Sequence, residues 1–138
     1  MGLDNGIFLK QKGDFDKEEV PSYVKLEYYA SEPDAAYICY WRKCWNLRGF
    51  ILDKITHDDV SDENRDYELS IADIDEIINV IVNYLDGTYS WDDDDFGGSI
   101  WTFEEMIPGL AYDIVNLGWL KSYLMTHPQA VAYFYDSY

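Results

Sequence analysis

The feature that most constrains the fold of this chain is a stripe of isoleucine, valine and leucine that recurs every three or four residues between Ser70 and Gly87. This period places the apolar side chains on one face of an α-helix, and it outweighs the modest preference of β-branched residues for strands. Ser70 is a candidate N-cap, and Asp73 in the first turn suits the positive end of the helix dipole. The sequence therefore predicts an amphipathic helix over residues 70–86, ended by Asp86-Gly87.

Strands are predicted near both ends of the chain and between them. Their segments are short, and they either alternate between apolar and polar residues or are apolar throughout, which is typical of half-buried and buried strands. The segments are residues 3–10, 22–30, 35–41 and 131–138, and the alternative for residues 35–41 is the first turns of a helix.

Two more helices complete the predicted set. Spacings of three and four predict a helix over residues 41–54, and residues 56–68 then have the polar character of a solvated loop. Residues 102–105 form a capping-box pattern before a third helix, which Pro108 is expected to interrupt or kink. The order β-β-β-α-α-α-β predicts an α+β fold, in which a small antiparallel sheet packs against about three helices in a single compact domain, residues 1–138.

Charge is distributed unevenly along the 138 residues. The chain has 10 Lys and Arg against 27 Asp and Glu, a formal net charge of −17. Residues 53–105, which we call the acidic block, hold 17 of the acids and only two basic residues, Lys54 and Arg65. This disfavours nucleic acid as a direct ligand and favours a basic partner and salt-sensitive association. Because a net charge of roughly 2–8 suffices for solubility, the excess indicates a binding role.

Composition excludes several classes of protein. An apolar content of 48% is too high for a disordered acidic tail, and no apolar run approaches the ~20 residues that cross a bilayer. The first residues lack the basic and apolar regions of a secretion signal. Cys39 and Cys44 fit neither a disulfide framework nor a zinc motif. We therefore expect two buried, reduced thiols in a cytoplasmic protein.

Motifs of catalysis and cofactor binding are absent from the sequence. It has no Gly-x-Ser-x-Gly turn, phosphate-binding loop, GxGxxG fingerprint or His-Glu-x-x-His site, and His57 and His127 are expected in loops. We therefore predict that the protein is not an enzyme and uses no cofactor.

One acidic segment partly fits a calcium-binding loop. With Asp93 as position one, Asp95 is third, Gly98 sixth and Glu104 twelfth, and hard cations need several oxygens on such a tight turn. Gly97 stands at position five, where the pattern has Asp or Asn. We predict no metal site and keep Asp93, Asp95 and Glu104 as a weak calcium candidate, the alternative being a solvated acidic loop.

The acidic block is the leading candidate for partner binding. If its carboxylates fold onto one surface, their separations are comparable to those of phosphates on a duplex, which carries one charge per ~1.7 Å of axis. Such a surface could occupy the nucleic-acid groove of a basic protein, whereas the alternative is an acidic surface that serves solubility alone. The residues assigned to partner contact are Asp58, Asp59, Asp62, Glu63, Asp66, Asp92, Asp93, Asp94, Asp95 and Phe96.

A cluster of basic and aromatic residues is a second candidate site. Tyr40, Trp41, Arg42 and Lys43 are consecutive, and a guanidinium beside aromatic rings suits a carboxylate or phosphate. With Tyr135 from the aromatic C-terminal segment, they would form a pocket for a phosphate-bearing small ligand. The structural alternative places Trp41 in the core and pairs Arg42 and Lys43 with neighbouring acids.

Aromatic residues make up 17% of the chain, which is more than one small core requires. Tyrosine and tryptophan are favoured at interfaces, because they combine a large apolar area with a polar tip. Tyr133, Phe134, Tyr135 and Tyr138 therefore form a candidate exposed patch, the alternative being ordinary alternation in a sheet.

Three short motifs are spread over the chain: Met1-Gly2-Leu3-Asp4, Tyr40-Trp41-Arg42-Lys43 at a predicted helix start, and Tyr135-Asp136-Ser137-Tyr138. In these motifs the chain resembles small uncharacterised proteins of phages, prophages and bacteria. Those proteins often begin Met-Gly-Leu-Asp, open a helix with Tyr-Trp-Arg-Lys and end in an aromatic Tyr-x-Ser-Trp segment, from which Tyr138 departs. The resemblance implies a mobile-element origin, and it implies no activity and no catalytic residue.

Charge, aromatic content and resemblance lead to one main hypothesis. We expect a phage- or prophage-type accessory protein that inhibits a host defence factor by direct contact, as anti-CRISPR proteins do. Its acidic block would act as a DNA mimic in the basic channel of a CRISPR effector or another nucleic-acid-binding protein. The alternative is a small-ligand-binding module or an unrecognised enzyme with its pocket at Tyr40, Arg42 and Lys43. We expect no direct nucleic-acid ligand and no membrane partner.

Overall fold

A four-stranded antiparallel sheet forms one layer of the molecule. The computed structural model describes residues 3–57, 64–92 and 99–137. Within them the strands are β1 Asp4–Lys10, β2 Ala35–Arg42, β3 Arg65–Leu69 and β4 Val131–Ser137. Their order in the sheet is β2-β1-β4-β3, so the two ends of the described chain pair with each other along the sheet centre.

Helices form the second layer. They are α1 Trp45–Phe50, which continues into a π-helical turn at Ile51–Ile55, α2 Ile71–Leu85 and α3 Phe103–Thr126; a short 3-10 turn spans Lys17–Glu19. Complete capping boxes start both long helices. The N-cap side chains of Ser70 and Thr102 each accept a hydrogen bond from the third helical N–H, and the acid at that third position accepts one from the N-cap backbone N–H. The middle of the α2 stripe is buried at Ile74, Ile77 and Ile81, whereas Val82 is exposed. The α+β fold is confirmed.

The core lies between these two layers. Ile7 and Leu9 of β1 and Ala132 and Phe134 of β4 are fully buried against helical residues such as Leu117. Side chains alternate along a strand, so the intervening residues point to the other side of the sheet. We call that side the open face, because the groove on it is lined by strand and loop residues only.

The end of β2 differs from the predicted helix start. Tyr40, Trp41 and Arg42 pair with Gly6, Asn5 and Asp4 of β1, and α1 begins only at Trp45. The side chains follow the two-residue period of a strand, with Trp41 buried between exposed Tyr40 and Arg42. The spacing of Trp41, Cys44 and Trp45 is therefore compatible with helical periodicity, but pairing with β1 decides the conformation.

The strand predicted over residues 22–30 is not formed, and another strand takes its place in the sheet. Residues 22–30 make only an isolated bridge from Glu27 to Tyr37, because the Asn116 side chain of α3 binds both the N–H and the C=O of Lys25. The sheet instead gains β3, inside the segment predicted as an acidic loop. The observed order is therefore β-β-α-β-α-α-β. Pro108, expected to interrupt or kink the third helix, does not interrupt it, because α3 is continuous through this residue.

A buried ion pair attaches α1 to the sheet. Arg48 is 2% exposed, and its Nε and Nη2 lie 2.8 and 3.1 Å from the two carboxylate oxygens of Asp136. Asn5 Nδ2 donates to the same carboxylate at 2.6 Å, and Arg65 Nη2 lies 3.9 Å from it. The charge of Asp136 is therefore compensated inside the fold.

The remaining expectations concern the thiols and the membrane. Cys39 and Cys44 are both buried and free, as predicted. Within the three described ranges, no helix combines the length and the apolar character that crossing a bilayer requires.

Candidate functional site

The open face presents two rows of side chains across the sheet. Directly paired residues of antiparallel strands share a face, so the register defines each row. One row runs from Tyr37 through Phe8 and Tyr133 to Glu68. The other row runs from Tyr40 through Gly6 and Tyr135 to Asp66. Each row thus combines aromatic residues with a carboxylate at its β3 end.

Five aromatic rings of this region form what we call the aromatic platform. The Phe8 ring stacks between Tyr37 and Tyr133, with centroid separations of 5.6 and 5.1 Å. Tyr135 lies 6.0 Å from Tyr37, and Tyr29, from the loop before β2, meets the Tyr37 ring edge-on at 4.9 Å. Offset and edge-to-face contacts of this kind hold the rings in place. The predicted aromatic patch is therefore in part a sheet face, although Phe134 is buried on the opposite side.

Gly6 makes room for the platform. A Cβ on this residue would lie 2.1 Å from the carbonyl oxygen of Cys39 and 2.7 Å from Cε1 of Tyr135. The Tyr135 ring consequently covers the backbone of β1 at the one position in that strand that lacks a side chain. Glycine at position 6 is required by this close approach.

Carboxylates surround the platform. Asp4, Glu32 and Asp66 line a groove of about 870 Å³ on the open face, together with the basic residues Lys10 and Arg65. Tyrosines orient two of the acids: the Tyr40 hydroxyl donates to Asp4 at 2.7 Å, and the Tyr37 hydroxyl donates to Glu32 at 3.0 Å.

The same contacts keep the phenols protonated. The hydrogen bond to Asp4 is the main cause of the raised pKa of Tyr40, while burial and then the hydrogen bond to Glu32 raise the pKa of Tyr37 to about 12. The phenols therefore stay neutral donors and the negative charge stays on the carboxylates.

A cavity of about 300 Å³ lies beside the open face, between β2 and α3. We call it the Asp113 cavity, because the Asp113 carboxyl group lines it. Cys39 and Asn116 also contribute, and it shares three tyrosines with the groove of the open face. Its tyrosine walls are formed by Tyr29, Tyr37, Tyr40, Tyr112 and Tyr135.

Asp113 is a buried acid with neutral partners. It is 8% exposed, and its Oδ2 accepts a hydrogen bond from the indole of Trp41 at 2.8 Å. Burial raises its pKa to about 6, although donors from Trp41 and the Cys39 thiol lower it. Burial and then the charge of Asp113 raise the pKa of Cys39. The thiol is therefore protonated and unsuited to nucleophilic attack.

Sequence reasoning missed Asp113. The sequence feature that could have identified it is its position in a segment poor in acids. Residues 106–138 contain only two, Asp113 and Asp136, and Asp113 lies within a largely apolar helix. A solitary acid in such a segment is a candidate for burial with a specific partner.

Two of the ten predicted partner-binding residues fall in the described part of the chain. Asp66 lies on the open face and lines its groove, whereas Asp92 is exposed in the turn after Trp91. The other eight lie outside the described residues, and their joint surface stays a prediction: Asp58, Asp59, Asp62, Glu63, Asp93, Asp94, Asp95 and Phe96.

The fold does not bring all the residues of the predicted phosphate pocket to one site. Tyr40 and Tyr135 meet at the Asp113 cavity, and Trp41 is buried with its indole on Asp113. Arg42 and Lys43 do not line that cavity; their carbonyl groups accept hydrogen bonds from residues 100–101. The cavity contains one lysine, Lys25, and its other charged groups are carboxylates, so its chemistry does not favour a phosphate.

Of the three residues of the calcium candidate, one lies in the described part of the chain. Glu104 is exposed in the first turn of α3, while Asp93 and Asp95 lie outside the described residues. Among the residues that the structure describes, no group of three His, Cys, Asp or Glu side chains is placed to hold a metal ion.

Comparisons of the chain with protein-family models, curated proteins and solved structures find no match. The resemblance to phage, prophage and bacterial proteins therefore stays a prediction.

Proposed function

We propose that this chain is a binding protein of phage or prophage type that inhibits a basic, nucleic-acid-binding defence protein of the host, such as a CRISPR effector, by occupying its nucleic-acid channel. The observation that carries the proposal is the open face, where the aromatic platform is surrounded by Asp4, Glu32 and Asp66 in a chain of net charge −17. The acidic block would extend this surface.

The sign of the charge distinguishes the partner class. Aromatic sheet faces that bind single-stranded nucleic acid stack the bases, and they also need a positive groove for the backbone. Here four acids line the groove beside Lys10 and Arg65, and one of them, Asp136, is paired with Arg48 inside the fold. Both rows also end in an acid. Arginine side chains suit such a surface, because a guanidinium stacks on aromatic rings and pairs with carboxylates.

The layout also matches the anatomy of a protein interface. Interface centres are enriched in aromatic residues, and their rims are polar. Phe8 and Tyr133 lie on the two central strands of the open face, with Tyr37 stacked beside Phe8, and Asp4 and Asp66 lie at its margins. The tyrosine hydroxyl on Asp4 fixes that carboxylate before a partner arrives, which reduces the entropy lost on binding.

The proposal is tested by capture of a partner from a host lysate, followed by purification of the captured protein and competition with nucleic acid. We expect the chain and a DNA or RNA duplex to exclude each other, and the affinity to fall at least about tenfold between about 50 and 200 mM salt. Simultaneous binding of chain and duplex, or an affinity that salt does not change, would contradict nucleic-acid mimicry.

A charge-matched pair of variants locates the interface. Replacing Asp4→Asn and Asp66→Asn together should weaken partner binding several-fold, since exposed ion pairs contribute about 0.2–1 kcal/mol each. The control, Asp14→Asn with Glu18→Gln, removes the same charge from exposed positions that do not line the open-face groove. Equal weakening by both double variants would attribute binding to net charge alone and would contradict the open face as the interface.

A further inference from the structure

The Asp113 cavity has a chemistry of its own within the surface described above. Most buried carboxylates are paired with a cation, because an isolated buried charge is costly. Asp136 follows that rule through Arg48. Asp113 is nearly as buried, yet its hydrogen bonds come from the neutral groups of Trp41 and Cys39. The fold thus leaves a carboxylate in a cavity with donors but without a bound cation among the described side chains.

The walls of the cavity favour a cation as well. Five tyrosines line it, and aromatic faces attract guanidinium and ammonium groups. Glu27 adds a second carboxylate, and it accepts a hydrogen bond from Tyr29 at 3.3 Å. Lys25 is the one basic residue of the lining, and it is exposed. Aromatic walls with one buried carboxylate do not resemble the all-oxygen shell that calcium or magnesium requires.

Size and position point to a side chain. Pockets for small molecules range from about 300 to 1,000 Å³, so a volume of about 300 Å³ is at the lower limit and suits a single group. The cavity adjoins the groove of the open face through Tyr29, Tyr37 and Tyr135, so a partner lying on that face could insert one residue.

We propose that the Asp113 cavity binds the guanidinium group of an arginine from the basic partner, as the anchor of the interface. This inference rests on the proposed function for the identity of the partner, while the cation site itself is a property of this chain. The guanidinium would pair with Asp113, and its plane would lie against the tyrosine walls.

The Trp41 indole is a spectroscopic reporter inside the site, because its N–H donates to Asp113. The test is an NMR titration of the full chain labelled with 15N-tryptophan, using capped arginine (N-acetyl-arginine amide) as the probe and capped citrulline as its neutral isostere. We expect arginine to shift the Trp41 indole signal with a Kd on the order of 1–10 mM, and citrulline to leave it in place. Trp41→Phe assigns the signal, and the Trp91 indole, which donates to Trp101 at 2.9 Å, serves as an internal control.

Two variants separate the cavity from general charge. Asp113→Asn keeps an acceptor for Trp41 and should weaken arginine binding at least about tenfold. The control Asp14→Asn removes the same charge from an exposed position that lines neither the cavity nor the open-face groove, and it should change arginine binding less than about twofold. Gly109→Leu is a second cavity variant: Gly109 lines the cavity and a Cβ there meets nothing within 4 Å, so it should obstruct entry while the carboxylate remains. Equal shifts with arginine and citrulline, or arginine binding unchanged by both cavity variants, would overturn the proposal.

The outcomes also separate this inference from the proposed function. If a basic nucleic-acid-binding partner is captured with undiminished affinity by Asp113→Asn, the arginine anchor is wrong and the proposed function stands. If capped arginine binds as expected but the captured protein fails the competition with nucleic acid, the cation site stands and the proposed function is wrong.

Discussion

Asp136 and Asp113 are two buried carboxylates with opposite surroundings. Asp136 lies on β4 and receives Arg48 and Asn5 from α1 and β1, so its charge is compensated within the core. Asp113 lies on α3 beside a cavity and receives an indole and a thiol. Desolvation destabilises the charged carboxylate at both sites, so the two acids differ in the groups that compensate this cost. One acid holds the fold together, and the other retains its negative charge at a cavity accessible to a cation.

The largest effect is expected from breaking the internal pair. Asp136→Asn leaves Arg48 buried without its carboxylate, and removing one partner of a buried ion pair costs about 3–5 kcal/mol. Urea unfolding of the variant beside the parent chain measures this loss. Asp14→Asn, at an exposed loop position, is the control and should change the free energy of unfolding by less than about 0.5 kcal/mol. A loss below about 1 kcal/mol for Asp136→Asn would mean that the ion pair does not stabilise the core.

Replacing Asp113 is expected to change the free energy of unfolding in the opposite direction. Its pKa in the folded chain is about 6, above the ordinary value near 3.8, so folding favours the protonated acid. The stability that it contributes is complete below about pH 4 and is lost as the pH rises through 6. At pH 7.5 Asp113→Asn should therefore be more stable than the parent by about 1–3 kcal/mol, since each pKa unit corresponds to about 1.4 kcal/mol.

The pH dependence of that gain is the check on its cause. Urea unfolding at pH 4.8 should show roughly half the gain measured at pH 7.5, because Asp113 is then mostly protonated when folded. The charged or titratable groups that share the cavity are Lys25, Glu27, Cys39 and the tyrosines. The Cys39 thiol, with its pKa raised well above its usual value, does not titrate in this range. A gain that is constant with pH would assign it to packing and not to charge.

The contrast between local and distant information explains which features could be predicted. Helix α2, its Ser70 N-cap and the capping box of α3 depend on residues three or four apart, and the sequence predicts them correctly. Strand β3 was missed because its outward residues Asp66 and Glu68 give it the composition of an acidic loop, while Tyr67 and Leu69 face inward. The end of β2 was misassigned because its pairing with β1 joins segments more than thirty residues apart.

The two buried acids depend on contacts that are more distant still. Arg48 and Asp136 are separated by 88 residues, and Trp41 and Asp113 by 72. No local period identifies either pair, so the sequence places the alternative site, a pocket for a phosphate-bearing ligand, at the basic cluster of Arg42 and Lys43. The fold instead brings Tyr40 and Tyr135 to a cavity that carries a carboxylate. The class of ligand indicated by the site changes accordingly, from an anion to a cation.

The smallest expected effect is the pH dependence of arginine binding, which tests whether the charge of Asp113 binds the ligand. If the ionised carboxylate binds arginine, protonation competes with the ligand, and the apparent Kd of capped arginine should rise about fourfold between pH 7.5 and 5.5 for a group of pKa about 6. The Trp41 indole titration at both pH values measures it, with Asp113→Asn as the control that should show no such change. The phenols of Tyr37 and Tyr40, whose pKa values are raised, remain neutral throughout. An affinity for arginine that is independent of pH in the parent chain would show that the cation binds elsewhere, and the distinction between the two acids would then be one of stability alone.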